Sequence, residues 1–194
     1  MQDFSKIYEQ HVTKSIEAKK AILRDQTIRS TLSRFASDLA DTFRQGRVLH
    51  LCGNGGSAAD AQHIAAEFSG RYLLDRKGIN AEALHTNSSA MTAIANDFGY
   101  QSVYARLLEA KGTAGDILIA ISTSGNSQNI VEAVQMATHI GIDTLALTGS
   151  SDSKLSQLAK YTIQVPSDFT PTIQECHIMI GHIICHSVEL HLSV

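Results

Sequence analysis

The stretch Asp116-Ile117-Leu118-Ile119-Ala120-Ile121-Ser122-Thr123-Ser124-Gly125-Asn126-Ser127 decides the fold. Its first half is almost wholly apolar, which marks a strand covered on both faces and hence a parallel sheet. Its second half is a loop of hydroxyls and glycine, followed by helical spacing to about Ile140. The same order occurs earlier. Arg47-Val48-Leu49-His50-Leu51-Cys52 reads as a strand, Gly53-Asn54-Gly55-Gly56 as a loop, and Ser57 to about Ser69 as a helix. Further strands are expected at Ala81–Leu84, Ile142–Leu147 and Tyr161–Val165. Helices are expected at Ser89–Asn96, Gln101–Lys111, Lys154–Ala159 and Thr172–Leu192. Strands alternating with helices give an α/β fold, a three-layer doubly wound sandwich with a mostly parallel central sheet.

Ahead of the first strand, Ile7, Val12, Ile16, Ala21 and Ile22 mark one helical face, and Ile28, Leu32, Phe35, Leu39 and Phe43 a second. Two helices before the sheet must bury these faces, and another subunit is a natural partner. Residues 1–194 are therefore expected as one domain, with residues 1–45 as a helical extension. The chain length suits a single well-buried core. A net charge of -3 gives no reason to expect nucleic acid or an anionic membrane as partner. No apolar run reaches bilayer length and the N-terminal segment lacks signal-peptide character. Cys52, Cys176 and Cys185, an odd number among apolar neighbours, read as reduced buried thiols of a cytoplasmic protein.

In doubly wound sheets ligands bind beyond the carboxyl ends of the strands, where both small-residue loops fall. The first loop opens a helix whose free N–H groups favour an anion. There Ser57 and Asp60 resemble a capping box. Gly53-x-Gly55-x-x-Ala58 also fits a dinucleotide pattern, but the acid that should end the next strand is missing: Glu82 is too late and lies inside its strand. The second loop, Ser122 to Ser127, offers neutral donors for a phosphate. No Walker sequence is present, so a nucleotide triphosphate is not indicated. His63 and Glu67 are four apart on the helix leaving the first loop, hence on one face. Gln174 and His182 are eight apart on the last helix, about 80° around its axis. The four act together only where the two helices converge. His186, Glu189 and His191 read as a polar helical face, and Met91, Met136 and Met179 as core.

Four segments carry a resemblance: Leu51 to His63, Ala93-Ile94-Ala95-Asn96-Asp97, Ile121 to Ser127, and Ile173-Gln174-Glu175-Cys176-His177. They resemble the phosphoheptose isomerases, which are sugar isomerase (SIS) domain proteins with a flavodoxin-like fold. The likeness runs over nearly the whole chain in matching order. It implies an aldose-ketose isomerase that converts D-sedoheptulose 7-phosphate to D-glycero-D-manno-heptose 7-phosphate through an enediol, supplying heptose for lipopolysaccharide. It also implies a homotetramer with sites between subunits and one zinc per subunit. By position, Glu67 matches the catalytic base and His182 its acid/base partner. His63, Glu67, Gln174 and His182 match the zinc ligands. Asn54, Gly55, Gly56, Ser57, Glu67, Asn96, Asp97, Ser122, Thr123, Ser124, Ser127 and Gln174 match substrate contacts. One departure is Thr172, where the family usually has arginine, so no charge contact carries over to that position. The alternative is a related non-catalytic SIS protein that binds the replication initiator DnaA. That branch differs at the positions of Glu67 and His182, both of which this chain keeps.

Overall fold

The computed structural model describes residues 3–193. Two helices come first, α1 (Phe4–Arg24) and α2 (Gln26–Arg44). Asp25 separates them. It ends α1, and its carboxylate caps α2 by accepting from the Thr27 and Ile28 amides at 2.8 and 3.0 Å. The sheet follows as β1 (Leu49–Gly53), β2 (Ala81–Ala83), β3 (Ile117–Ile121), β4 (Asp143–Thr148) and β5 (Tyr161–Gln164). The helices between them are α3 (Gly56–Ser69), α4 (Ser88–Phe98), α5 (Val103–Lys111), α6 (Gln128–His139) and α7 (Lys154–Leu158), and α8 (Thr170–Leu192) closes the fold.

All five strands pair in parallel, in the order β2-β1-β3-β4-β5. Every residue of β1 and β3 is buried, as the apolar run predicts. Alternate side chains serve two cores. Leu49, Leu51, Ile117, Ile119 and Ile121 face a cluster with α2, α3 and α8, while Cys52, Leu118 and Ala120 face α5 and α6. Each fully buried leucine or isoleucine contributes about 1.5–3 kcal/mol over its exposed state. Asp116 lies just before β3 rather than in it. Its carboxylate accepts from the Val48 and Thr113 amides, both at 2.9 Å, and sits 3.1 Å from His50 Nε2. Glu82 on β2 is 3.4 Å from His50 Nδ1 and 2.7 Å from Lys111 Nζ. Its carboxylate is thus engaged at the opposite sheet edge from the loops, and the dinucleotide pattern has no acidic partner.

Most strand and helix boundaries fall within two residues of expectation, and two differences are structural. The helical stretches after β2 are separated by a single 3₁₀ turn at Tyr100–Ser102. The last helix begins at Thr170, with Pro171 in its first turn, where a missing N–H costs nothing. All three cysteines are free and buried, and burial pushes the Cys185 thiol up to about 12. No helix among the described residues is long and apolar enough to cross a membrane. Helix α1 buries only Ala18 and Ile22 and leaves Phe4, Ile7, Tyr8, Val12 and Ile16 exposed.

Candidate active site

Strand order reverses between β1 and β3, whose last residues, Gly53 and Ile121, stand side by side. The two small-residue loops leave the sheet there, at the position where such folds bind ligands. The first loop turns through Gly55, with φ of 54°, and Gly55 itself caps α3 without a side-chain hydrogen bond. The capping-box reading of Ser57 and Asp60 is therefore corrected. The glycine turn starts the helix one residue earlier, and Ser57 is drawn into the interior. Asp60 has one carboxylate oxygen buried without a partner. Burial pushes its carboxyl up to about 6, against the opposing pull of His63.

Asn54 is held by a reciprocal amide pair with Asn129 on α6, at 2.9 and 2.8 Å, and accepts from the Tyr100 hydroxyl at 3.0 Å. Asn129 is buried, and nothing in the sequence pattern singled it out. In the second loop the Ser122 hydroxyl lies 3.1 Å from that of Ser127 and 3.5 Å from that of Ser124. Ser127 precedes α6 and makes no capping bond of its own, which leaves its hydroxyl and the first α6 amides for an anion. A cavity of about 220 Å³ opens on the Thr123–Ser124 side of this loop, bordered mainly by the hydroxyl residues Ser150, Ser151, Ser167 and Thr170 and also by Asp168. A larger one of about 480 Å³ lies elsewhere, against α1, α2 and α8, and holds none of the expected site residues.

Helices α3 and α8 converge. His63 Nε2 is 3.0 Å from His182 Nε2 and 3.3 Å from Glu67 Oε1, and donor atoms of all three fall within 4.8 Å of one another. Gly181 permits this approach. A Cβ there would lie 2.5 Å from Ile64 Cδ1, on the residue next to His63. An ion with tetrahedral N and O ligands spaces its donors about 3.3 Å apart, so two imidazoles and a carboxylate at these distances fit zinc. Gln174 is not drawn into the trio. Its amide packs against Gly56, at the start of α3, and eight residues of helix put it about 12 Å along α8 from His182. Asn96 and Asp97 pair with each other at 2.9 Å on the exposed end of α4. Thr172 is buried in the first turn of α8 and brings no charge to the site.

The polar face expected of His186, Glu189 and His191 divides. His186 is exposed, but Glu189 is only 1% exposed. Tyr72 stacks on His182, with ring centroids 5.5 Å apart and planes inclined by 24°. Neither the burial of Glu189 nor the stacking of Tyr72 shows in spacing, because the segment between α3 and β2 that carries Tyr72 has no periodicity of its own. His177 is fully buried, with Nε2 3.1 Å from the Thr148 carbonyl, and burial pushes its imidazole down to about 4. The neutral ring donates to that carbonyl and ties α8 to the end of β4. Because the folded value lies below the unfolded value of 6.5, the stabilisation is complete above pH 6.5 and is lost as pH falls toward 4. The loss should reach about 3 kcal/mol. Denaturant melts at pH 7.5 and 4.5 should show a smaller pH-dependent loss in His177→Gln than in the parent chain.

A profile of the SIS domain family matches residues 10–149. The chain belongs to that family. It is 48% identical over 179 residues to the phosphoheptose isomerase of Aneurinibacillus thermoaerophilus, covering 92% of this chain and 90% of that one. It is 44% identical over 192 residues to phosphoheptose isomerase 2 of Campylobacter jejuni, covering 99% and 96%. The solved phosphoheptose isomerase GmhA of Neisseria gonorrhoeae superposes with a TM-score of 0.89 at 37% identity, over 97% of this chain and 100% of that one. Within the family the chain is thus of the phosphoheptose isomerase kind, an enzyme that isomerises a sugar phosphate in heptose synthesis.

Proposed function

We propose that the enzyme converts D-sedoheptulose 7-phosphate to D-glycero-D-manno-heptose 7-phosphate. The observation that carries this reading is the meeting of His63, Glu67 and His182 where α3, the helix that leaves the first phosphate-suited loop, converges on α8. The phosphate is received by Ser122, Thr123, Ser124, Ser127 and the first α6 amides. The sugar is contacted by Asn54, Gly55, Gly56, Ser57, Asn96, Asp97 and Gln174. Glu67 takes a proton from C1 of the ketose and returns it to C2, while His182 moves the proton between the two oxygens, so that the aldehyde forms at C1 with no net gain or loss. His63, Glu67 and His182 would hold a zinc ion, which would supply a Lewis acid for negative charge on the oxygens, and the resemblance names Gln174 as a fourth ligand although within one chain it lies against Gly56.

The remainder of the reading rests on the family and on exposed surface. Residues 1–194 form one SIS domain, with residues 1–45 as its helical extension. The bare apolar stripe of α1 favours a homotetramer, since contiguous exposed apolar surface marks a contact site. The enzyme works in the cytoplasm and its product feeds lipopolysaccharide heptose.

The test is conversion of sedoheptulose 7-phosphate by purified protein with and without metal. Zinc-supplied protein should form the aldose 7-phosphate, a chelator should abolish turnover, and zinc should restore it at one ion per subunit. Zinc-supplied protein that leaves the ketose unchanged would sink the substrate assignment.

A further inference from the structure

Glu189 lies on α8 two turns beyond His182, buried, and it is where the segment between α3 and β2 is tied down. Its carboxylate accepts from three successive amides: Tyr72 at 3.0 Å, Leu73 at 2.9 Å and Leu74 at 3.0 Å. Arg76 Nε completes the set at 2.8 Å. Burial alone would push this carboxyl up, but the three amides and Arg76 outweigh it and hold it below its ordinary value. A buried carboxylate is tolerated only when paired and fully hydrogen-bonded, which is the case here.

The same arginine reaches the other helix. Its guanidinium donates to the Glu67 carbonyl at 2.9 Å and the Phe68 carbonyl at 2.8 Å, two of the acceptors left open at the end of α3. One ion pair therefore joins the end of the helix carrying His63 and Glu67 to the helix carrying His182. The first residue it pins, Tyr72, lays its ring on His182, while the His63 ring meets His182 edge-on at 5.2 Å.

We propose that Glu189 and Arg76 form a clamp that holds Tyr72 against His182, making these three positioning residues for the isomerisation. The inference rests on the assignment of His182 as a catalytic group. None of the three needs to touch substrate. Tyr72 fixes the plane of the His182 ring, and the clamp fixes Tyr72. The phenol hydroxyl is not required, only the ring.

The test uses Tyr72→Ala, Tyr72→Phe and Glu189→Gln in the full chain. Tyr72→Ala should lower kcat about tenfold, with KM held within about twofold, because a slightly misplaced catalytic group costs turnover rather than binding. Tyr72→Phe should keep both constants within about twofold of the parent. Glu189→Gln, which leaves Arg76 unpaired, should follow Tyr72→Ala; should it not fold, the two Tyr72 variants decide. A readout independent of turnover is the His182 ring signal in histidine-labelled protein, identified by its absence in His182→Ala. That signal should shift in Tyr72→Ala and stay in place in Tyr72→Phe. Parental kcat in Tyr72→Ala, or an unmoved His182 signal, overturns the clamp. A parent enzyme that does not turn over the heptose phosphate overturns the substrate assignment instead, and the His182 signal still decides the clamp.

Discussion

Glu67→Gln is expected to lower kcat about a thousandfold with a much smaller change in KM, the middle of the range for loss of a positioned general base. Glutamine keeps the shape of the side chain and an oxygen that can face an ion, but it cannot accept the C1 proton. Metal content should therefore fall less than activity, and both are to be measured on the same samples. His182→Ala should behave differently. It removes one of three converging donors and an acid/base group together, so metal and turnover should be lost in parallel. A Glu67→Gln protein that keeps more than about a tenth of parental turnover would exclude Glu67 as the base, since general-base loss is worth at least about a hundredfold.

Gly181→Val should damage the same site without touching any of its donors. The new Cβ would sit 2.5 Å from Ile64 Cδ1 and 2.7 Å from Ile64 Cγ1, and Ile64 is fully buried, so relief requires repacking of its neighbours as well. Overpacking of this kind costs about 1–3 kcal/mol of stability. The strain is relieved by moving α3 away from α8, and the residues next to the clash are His63 and His182. A displacement of about 1 Å between catalytic groups can cost about a hundredfold in rate. Denaturant melts should show the first effect and steady-state kinetics the second. Pairing Gly181→Ala with Ile64→Ala removes the clash and should recover most of the activity. Parental turnover in Gly181→Val would show that close helix contact does not hold the site together.

The sheet was legible because parallel strands bury both faces, so β1 and β3 read as unbroken apolar runs. The loops were legible because two clusters of glycine and hydroxyls fall at strand ends that open helices, where turns, caps and anion contacts all favour them. The meeting of α3 with α8 was not. His63 and His182 are 119 residues apart, and helical spacing says which side chains share a face, not which face another helix covers. Glu189 shows the same gap: its position on the helix was right and its surroundings were hidden, because Tyr72 to Arg76 follow no period. The start of α3 failed for a different reason. A serine–aspartate capping pattern and a glycine turn competed within three residues, and the glycine turn won. Gln174 was placed with the metal ligands by resemblance, whereas within one chain it lies against Gly56.

The convergence of α3 on α8 also sets an order of events during synthesis. The strands end at Gln164, and α8 is the last element of the chain. Until residues 170–192 have left the ribosome, His63 and Glu67 have no third donor, and the faces of α2 and α3 that pack on α8 are bare. A chain without α8 thus lacks the cover of that apolar flank and the third donor of the cluster. Docking of one helix then closes the flank, completes the cradle and brings Glu189 to its loop in a single step. The three-donor cluster is thereby a property only of chains that have been made through their last helix.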